Sequence, residues 1–175
     1  MGSFLLRVDA ANVRILSGDD APLWGSVWID AGEAVFPESG WHDYIGSMFG
    51  SLVTALDGLS RGRPRGDAYF FNGSFTVQMV RKGWRWRDRV TRPGATAAVS
   101  YRMINDIGES GEVDFASEAY LSELIDDVHR SAMDALAAMK AIQSLTGPSL
   151  RHFQKNVEVL GKARGRLGRT ASRRS

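Results

Sequence analysis

The chain has 175 residues, 43% hydrophobic and 24% charged, with 22 Lys and Arg against 20 Asp and Glu and no cysteine. This is enough for one domain with a sizeable core, and the lack of cysteine excludes disulfides, thiolate metal sites and a cysteine nucleophile. The net charge of +2 is unevenly spread: residues 161–175 carry six basic and no acidic side chains, so +6 there leaves −4 over residues 1–160.

In chain order, Phe4-Leu5-Leu6-Arg7-Val8 predicts a strand, with Asn12-Val13-Arg14-Ile15-Leu16 as its hairpin partner across Asp9-Ala10-Ala11. The apolar run Phe4–Leu6 is too short for a secretory signal. No segment approaches the roughly 20 apolar residues of a membrane span, so the expected location is cytoplasmic, away from any membrane. Ser17-Gly18-Asp19-Asp20 is turn chemistry, and Leu23 to Asp30 is a second β-rich run. From Trp41 the apolar residues Tyr44, Ile45, Met48, Phe49, Leu52, Val53, Leu56 and Leu59 recur at steps of three and four. That spacing predicts an amphipathic helix from Trp41, with Ser39 as its N-cap. The Gly, Pro and Arg stretch from Ser60 to Gly66 ends it as a loose basic linker.

Asn72-Gly73 is a strong hairpin signal between the arms Tyr69–Phe71 and Phe75–Met79. Trp84 to Val90 alternates with period two, and Ala97 to Ile104 predicts a further strand. A long helix is expected from about Asp114 to Leu145, broken by Thr146-Gly147-Pro148. A last helix, capped by Ser149, runs through Leu150, Phe153, Val157 and Leu160. The expected fold is α+β: an antiparallel meander sheet packed against one central helix and two C-terminal helices. One domain covers 1–160, and 161–175 is expected to be a basic, disordered tail.

Groups for catalysis are sparse, so the chain is read as no enzyme. The three histidines, His42, His129 and His152, fall on three different segments without metal-ligand spacing. Gly58, Gly62 and Gly66 alternate with Arg61, Arg63 and Arg65 but lack the Gly-Lys-Ser/Thr of a phosphate loop. There is no Gly-x-Ser-x-Gly elbow. The pairs Asp19-Asp20 and Asp126-Asp127 are sequence neighbours, whose side chains diverge. No catalytic residue, metal or cofactor is assigned.

Between Arg81 and Arg92, six basic residues meet one acid, Asp88. On a strand Trp84 and Trp86 share one face while Arg85, Arg87 and Arg89 share the other. One reading is a nucleic-acid surface, with Arg164, Arg166 and Arg169 of the tail adding to it. The other is a half-buried strand, tryptophans inward and arginines in water.

Two segments carry a family resemblance: Phe36-Pro37-x-x-Gly40-Trp41-x-Asp43-Tyr44-Ile45 leading into an apolar helix, and Tyr69-Phe70-Phe71-Asn72-Gly73-Ser74-Phe75-Thr76-Val77. Together they resemble the small immunity-type proteins of bacterial polymorphic toxin systems, over roughly residues 1–160. The resemblance implies a non-catalytic protein that binds and neutralises a cognate secreted toxin domain. Many such toxins are nucleases with basic clefts, which an acidic body complements. The resulting contact candidates are Asp19, Asp20, Asp30, Glu33, Glu118, Glu123, Asp126 and Asp127. Trp41 and Asp43 are read as structural, a core anchor and a helix-end charge. The Arg81–Arg92 run and the basic tail depart from the family pattern. They keep open a nucleic-acid-associated accessory protein using Trp84, Arg85, Trp86, Arg87, Arg89, Arg164, Arg166 and Arg169, and also a purely structural or interaction protein.

Overall fold

The computed structural model describes residues 4–16, 22–83, 96–106, 111–142 and 147–171, with side chains described as far as Gly168. It is an α+β fold of two antiparallel sheets and three helices. The meander expected from the sequence is present, but only its second half forms the four-stranded sheet.

The first sheet is organised on one strand, β3 (Leu23–Asp30), whose Leu23, Val27 and Ile29 are fully buried. It pairs with β1 (Leu5–Val8), β2 (Arg14–Ile15), β4 (Val35–Phe36) and β5 (His42–Tyr44). Trp24 faces both β2 and β5, and Ile29 faces both β1 and β4, so β3 is paired along both edges. The expected hairpin between β1 and β2 does not form. Asp9 instead caps a 3-10 turn over Ala10–Asn12, accepting from the Ala11 N–H at 3.1 Å, and both strands lie on β3. That turn presses on β3 at Gly25, where a Cβ would sit 2.6 Å from the Asn12 carbonyl oxygen.

The expected helix from Trp41 starts later. α1 covers Ile45–Ser60, with Tyr44 rather than Ser39 at its N-cap. Residues 42–44 match the helical spacing but are held as β5, and the Val27 N–H donates to the Trp41 carbonyl at 2.7 Å. Sheet pairing overrides local periodicity here. α1 is buried almost all round, which makes it the central helix.

The second sheet runs β6 (Arg65–Phe70), β7 (Phe75–Arg81), β8 (Ala98–Asn105) and β9 (Glu112–Tyr120), in that order. The turn holding Asn72 and Gly73 joins β6 to β7 as the sequence indicates. β9 corrects the start of the long helix, since Asp114–Tyr120, expected to be helical, are strand. Within it Phe115, Ser117 and Ala119 are more buried than Ala116, Glu118 and Tyr120, a period of two. α2 (Leu121–Ala141) starts only after it, and the Glu123 carboxylate accepts from the Tyr120 N–H at 3.2 Å. The end expected near Leu145 lies outside the described residues.

α3 (Pro148–Ala171) corrects the expected tail. Proline takes the first helical position, which places Ser149 inside the first turn rather than at the cap. The helix then continues past Leu160, because Ala163 and Leu167 extend the apolar stripe of Phe153, Val157 and Leu160 into the core. Its basic residues lie between these positions and suit a helix C-terminus.

Phe49 stacks on Phe153 at 4.4 Å between α1 and α3. The two sheets meet through edge-on aromatic pairs: Phe36 with Phe70 and Phe75 at 5.7 and 5.6 Å, and Phe4 with Tyr101 at 5.1 Å. β6 approaches α1 so closely that a Cβ on Gly66 would lie 2.9 Å from the Ala55 backbone. No helix among the described residues is long and apolar enough to cross a membrane. Ending the chain after Leu160 exposes the surface that Ala163, Arg166 and Leu167 cover. It is expected to lower the unfolding free energy by about 2–4 kcal/mol, read from urea denaturation. An unchanged urea midpoint would restore the picture of a dispensable tail.

Candidate functional site

The most constrained polar group is Asp43, which is fully buried. β5 places it opposite Gly25, one residue before the N-cap of α1. Its carboxylate accepts from the N–H groups of Tyr44 at 2.6 Å, Phe71 at 2.8 Å and Asn72 at 3.1 Å, and from the Trp41 indole at 3.4 Å. The Asn72 amide donates in turn to the His42 carbonyl at 3.0 Å. Burial pushes the Asp43 carboxyl above the usual carboxylate range, against the downward pull of these donors. Asp43 therefore does more than decorate a helix end: it joins β5, α1 and the β6–β7 turn.

The acids nominated from the sequence do not form one face. Asp19 and Asp20 lie outside the described residues. Asp30 pairs with Arg7 at 2.9 Å and accepts from the Gly32 N–H, and these bonds, the backbone one foremost, hold its carboxyl below the usual range. Glu118 pairs with Lys82. Glu123 caps α2, and Asp126 pairs with Arg164 at 2.6 Å. Asp127 pairs with Arg130 and accepts from the Phe4 N–H at 3.1 Å, fixing α2 to the first strand segment. Of the nominated acids that are described, only Glu33 is left exposed without a partner among the described residues. These carboxylates are mostly spent holding the fold together.

The nominated basic set divides in the same way. Trp84, Arg85, Trp86, Arg87 and Arg89 lie outside the described residues, as does the Arg169 side chain. Arg164 is engaged by Asp126. Arg166, with its side chain only 17% exposed, pairs with Asp57 and donates to Ser60 Oγ at 2.9 Å, clamping α3 to α1. It is a structural cation rather than part of a free tail.

The histidines stay apart. His42 is exposed beside Trp24, and His152 lines a cleft of about 370 Å³ with Ser47 and Ser149. His129 packs over Gly161; its burial, helped by Arg164, pushes the imidazole below its usual pKa against the pull of Asp126. Among the described residues no three His, Asp or Glu side chains are placed to share a metal ion.

Sequence reasoning missed the free surface of the second sheet. Phe70, Val77, Met79, Val99, Tyr101 and Met103 point to the core, so Tyr69, Val80, Arg102 and Glu118 point away from it. β9 forms one edge, and no described strand pairs its outer side. Glu112, Val113 and Asp114 are exposed there, Val113 to 46%, and Tyr120 is 38% exposed at the far end. Asp114 is the extra residue of a β-bulge, since Val113 faces Ile104 while Phe115 faces Met103. Neither Glu112 nor Asp114 has an ion pair among the described residues. The signal in the sequence is the alternation over Phe115–Tyr120, which falls within the helix expected from about Asp114.

Asp43→Asn puts an amide donor among four N–H donors and is expected to cost about 2–4 kcal/mol. The pH dependence has a definite sign. With the folded-state pKa raised, the folded protein keeps this proton to higher pH than the unfolded chain does. The Asp43 contribution is then fully present below the ordinary value of 3.8 and is lost as pH rises through the folded value. Urea midpoints of both proteins across acid pH should show the wild-type advantage shrinking as pH rises; a growing advantage would reverse the assignment.

No protein-family model, curated protein or solved structure matches this chain.

Proposed function

We propose that the chain is a non-catalytic protein-binding domain, an immunity-type inhibitor of a cognate secreted toxin domain, which engages its partner along β9. One observation carries this reading: among the described residues β9 is a sheet edge, and its acids Glu112 and Asp114, flanking the exposed Val113, have no ion pair there. Protein interfaces place a polar, solvent-accessible rim around their buried centre, and acids at such a rim act chiefly on association rate. Two copies of the same edge repel one another through their acids, which guards against self-pairing. A basic partner meets no such barrier and gains in association rate. The contact moves from the acids nominated in the sequence, most of them internally paired, to Glu112 and Asp114. The reading carries with it a cytoplasmic location and a role that needs no catalytic group.

The test is to clone the open reading frames that flank the gene and co-express this chain with any that carries a secreted toxin module. Wild type is expected to co-purify with it and rescue growth. Glu112→Lys combined with Asp114→Lys is expected to slow association by tenfold or more, about 1.4 kcal/mol, with circular dichroism unchanged. Absence of both co-purification and growth rescue by the wild type would reject the proposal.

A further inference from the structure

We infer that the groove along the outside of β6, between the end of α1 and Tyr69, binds one nucleotide unit of a single-stranded nucleic acid. This site is separate from the β9 edge and does not depend on it. Its residues include Arg63 and Arg65, read from the sequence as a loose linker.

The linker is not loose. After α1 ends, Gly62 takes a φ of +102°, a left-handed conformation that only glycine adopts readily. The chain folds back, and the Arg63 N–H donates to the Gly58 carbonyl at 3.0 Å. The Arg63 stem then lies over Gly58, where a Cβ would come within 2.9 Å of the arginine Cδ. Two glycines thus seat one arginine. Arg65 begins β6 and is held through Nε, which lies 3.0 Å from both carboxylate oxygens of Asp67. Its outer guanidinium nitrogens make no hydrogen bond among the described residues. Arg63 has no acidic partner there at all.

The local charge balance leaves these cations available. Asp57 is shared by Arg61 and Arg166, and Asp67 is taken by Arg65. Four arginines therefore face two aspartates. Tyr69 lies further along the same outward face of β6, with 48% of its surface exposed. Its backbone N–H is fixed by Ser51 Oγ at 2.9 Å. Arg63, Arg65, Tyr69 and Thr54 all line the groove.

Two preorganised guanidinium groups suit phosphate oxygens, and an exposed ring suits a base face. The groove measures about 190 Å³. That is below the roughly 300 Å³ at which pockets begin to enclose a free small molecule. It can take a phosphate and its sugar while the base lies outside on Tyr69. A ligand held over so little of its surface fits a repeating strand better than a free nucleotide.

The test uses the full chain and a fluorescently labelled oligonucleotide of about ten residues, followed by anisotropy across a salt series. Wild type is expected to bind, with affinity falling linearly in log salt. Arg63→Ala is expected to weaken binding about tenfold and to flatten the salt slope by about 0.7, the loss of one phosphate contact on a single strand. Tyr69→Ala should weaken binding by about fivefold or more at unchanged slope, while Tyr69→Phe keeps the wild-type value. Lys140→Ala, at the end of α2, should bind as wild type does. Thermal melting establishes that each variant is folded. Absence of wild-type binding at low salt would overturn the site, and so would wild-type affinity in both Arg63→Ala and Tyr69→Ala. Competition by a free mononucleotide as strong as by the oligonucleotide, at equal phosphate concentration, would overturn the strand as ligand.

Discussion

A buried carboxylate is costly unless each of its lone pairs is met, and Asp43 imposes that condition on three parts of the chain at once. Its donors come from the tryptophan that precedes β5, from Tyr44, which follows Asp43 at the N-cap of α1, and from a turn nearly thirty residues later. None of these segments satisfies it alone. The start of α1 and the β6–β7 turn therefore have to be in place together, which fixes the first sheet against the second. The aromatic contacts follow from that docking. Phe36 and Trp41 come from the first sheet segment, Phe75 from the second, and they meet edge to face within 5.0 to 5.6 Å. With the hairpin held there, its inner residues reach the core and its outer residues stay in water.

A second pairing does for the helices what Asp43 does for the sheets. Asp57 near the end of α1 takes both Arg61 and Arg166, so the C-terminal half of α3 is bound to the central helix through a shared acid. Phe49 and Phe153 pack the same two helices at their other end. Further round, Asp126 with Arg164 and Asp127 with the Phe4 N–H tie α2 to α3 and to the N-terminal segment. The formal charges on these residues suggest binding faces, yet their partners are intramolecular. Charges near the surface contribute modestly as isolated pairs. Here they register elements that apolar contacts have already brought together.

How much of this was legible in the sequence depends on whether the information was local. The Asn72-Gly73 turn and the β3 run were readable because turn chemistry and β-propensity act over a few residues. Residues 41–44 and 114–120 resist a local reading for a common reason. Their apolar spacing is compatible with a helix, and only pairing with β3 or β8 decides otherwise. α3 was cut short because Ala163 and Leu167 are sparse among basic residues, although they continue the stripe that precedes them. Asp43 was recognised as structural, but its partners at Phe71 and Asn72 had no sequence signature. The same holds for Arg63, whose seat is a glycine five residues earlier.

The internal pairing also changes what the net charge means. A total of +2 describes neither surface. Once the paired residues are set aside, Glu112 and Asp114 are among the described charges that remain, on the edge strand β9, and Arg63 with part of Arg65 remains beside the opposite edge strand β6. Arg65 pairs across from Val80 at one end of the sheet, while Glu112 faces Asn105 at the other, so the two charges occupy diagonal corners. Such a separation orients an approaching molecule even when the total charge is small. Its reach is about 10 Å at moderate ionic strength, short enough that an incoming surface senses one corner at a time. The two proposed contacts use this separation, a basic surface at β9 and a polyanion at β6, with the sheet between them keeping the two corners from neutralising each other.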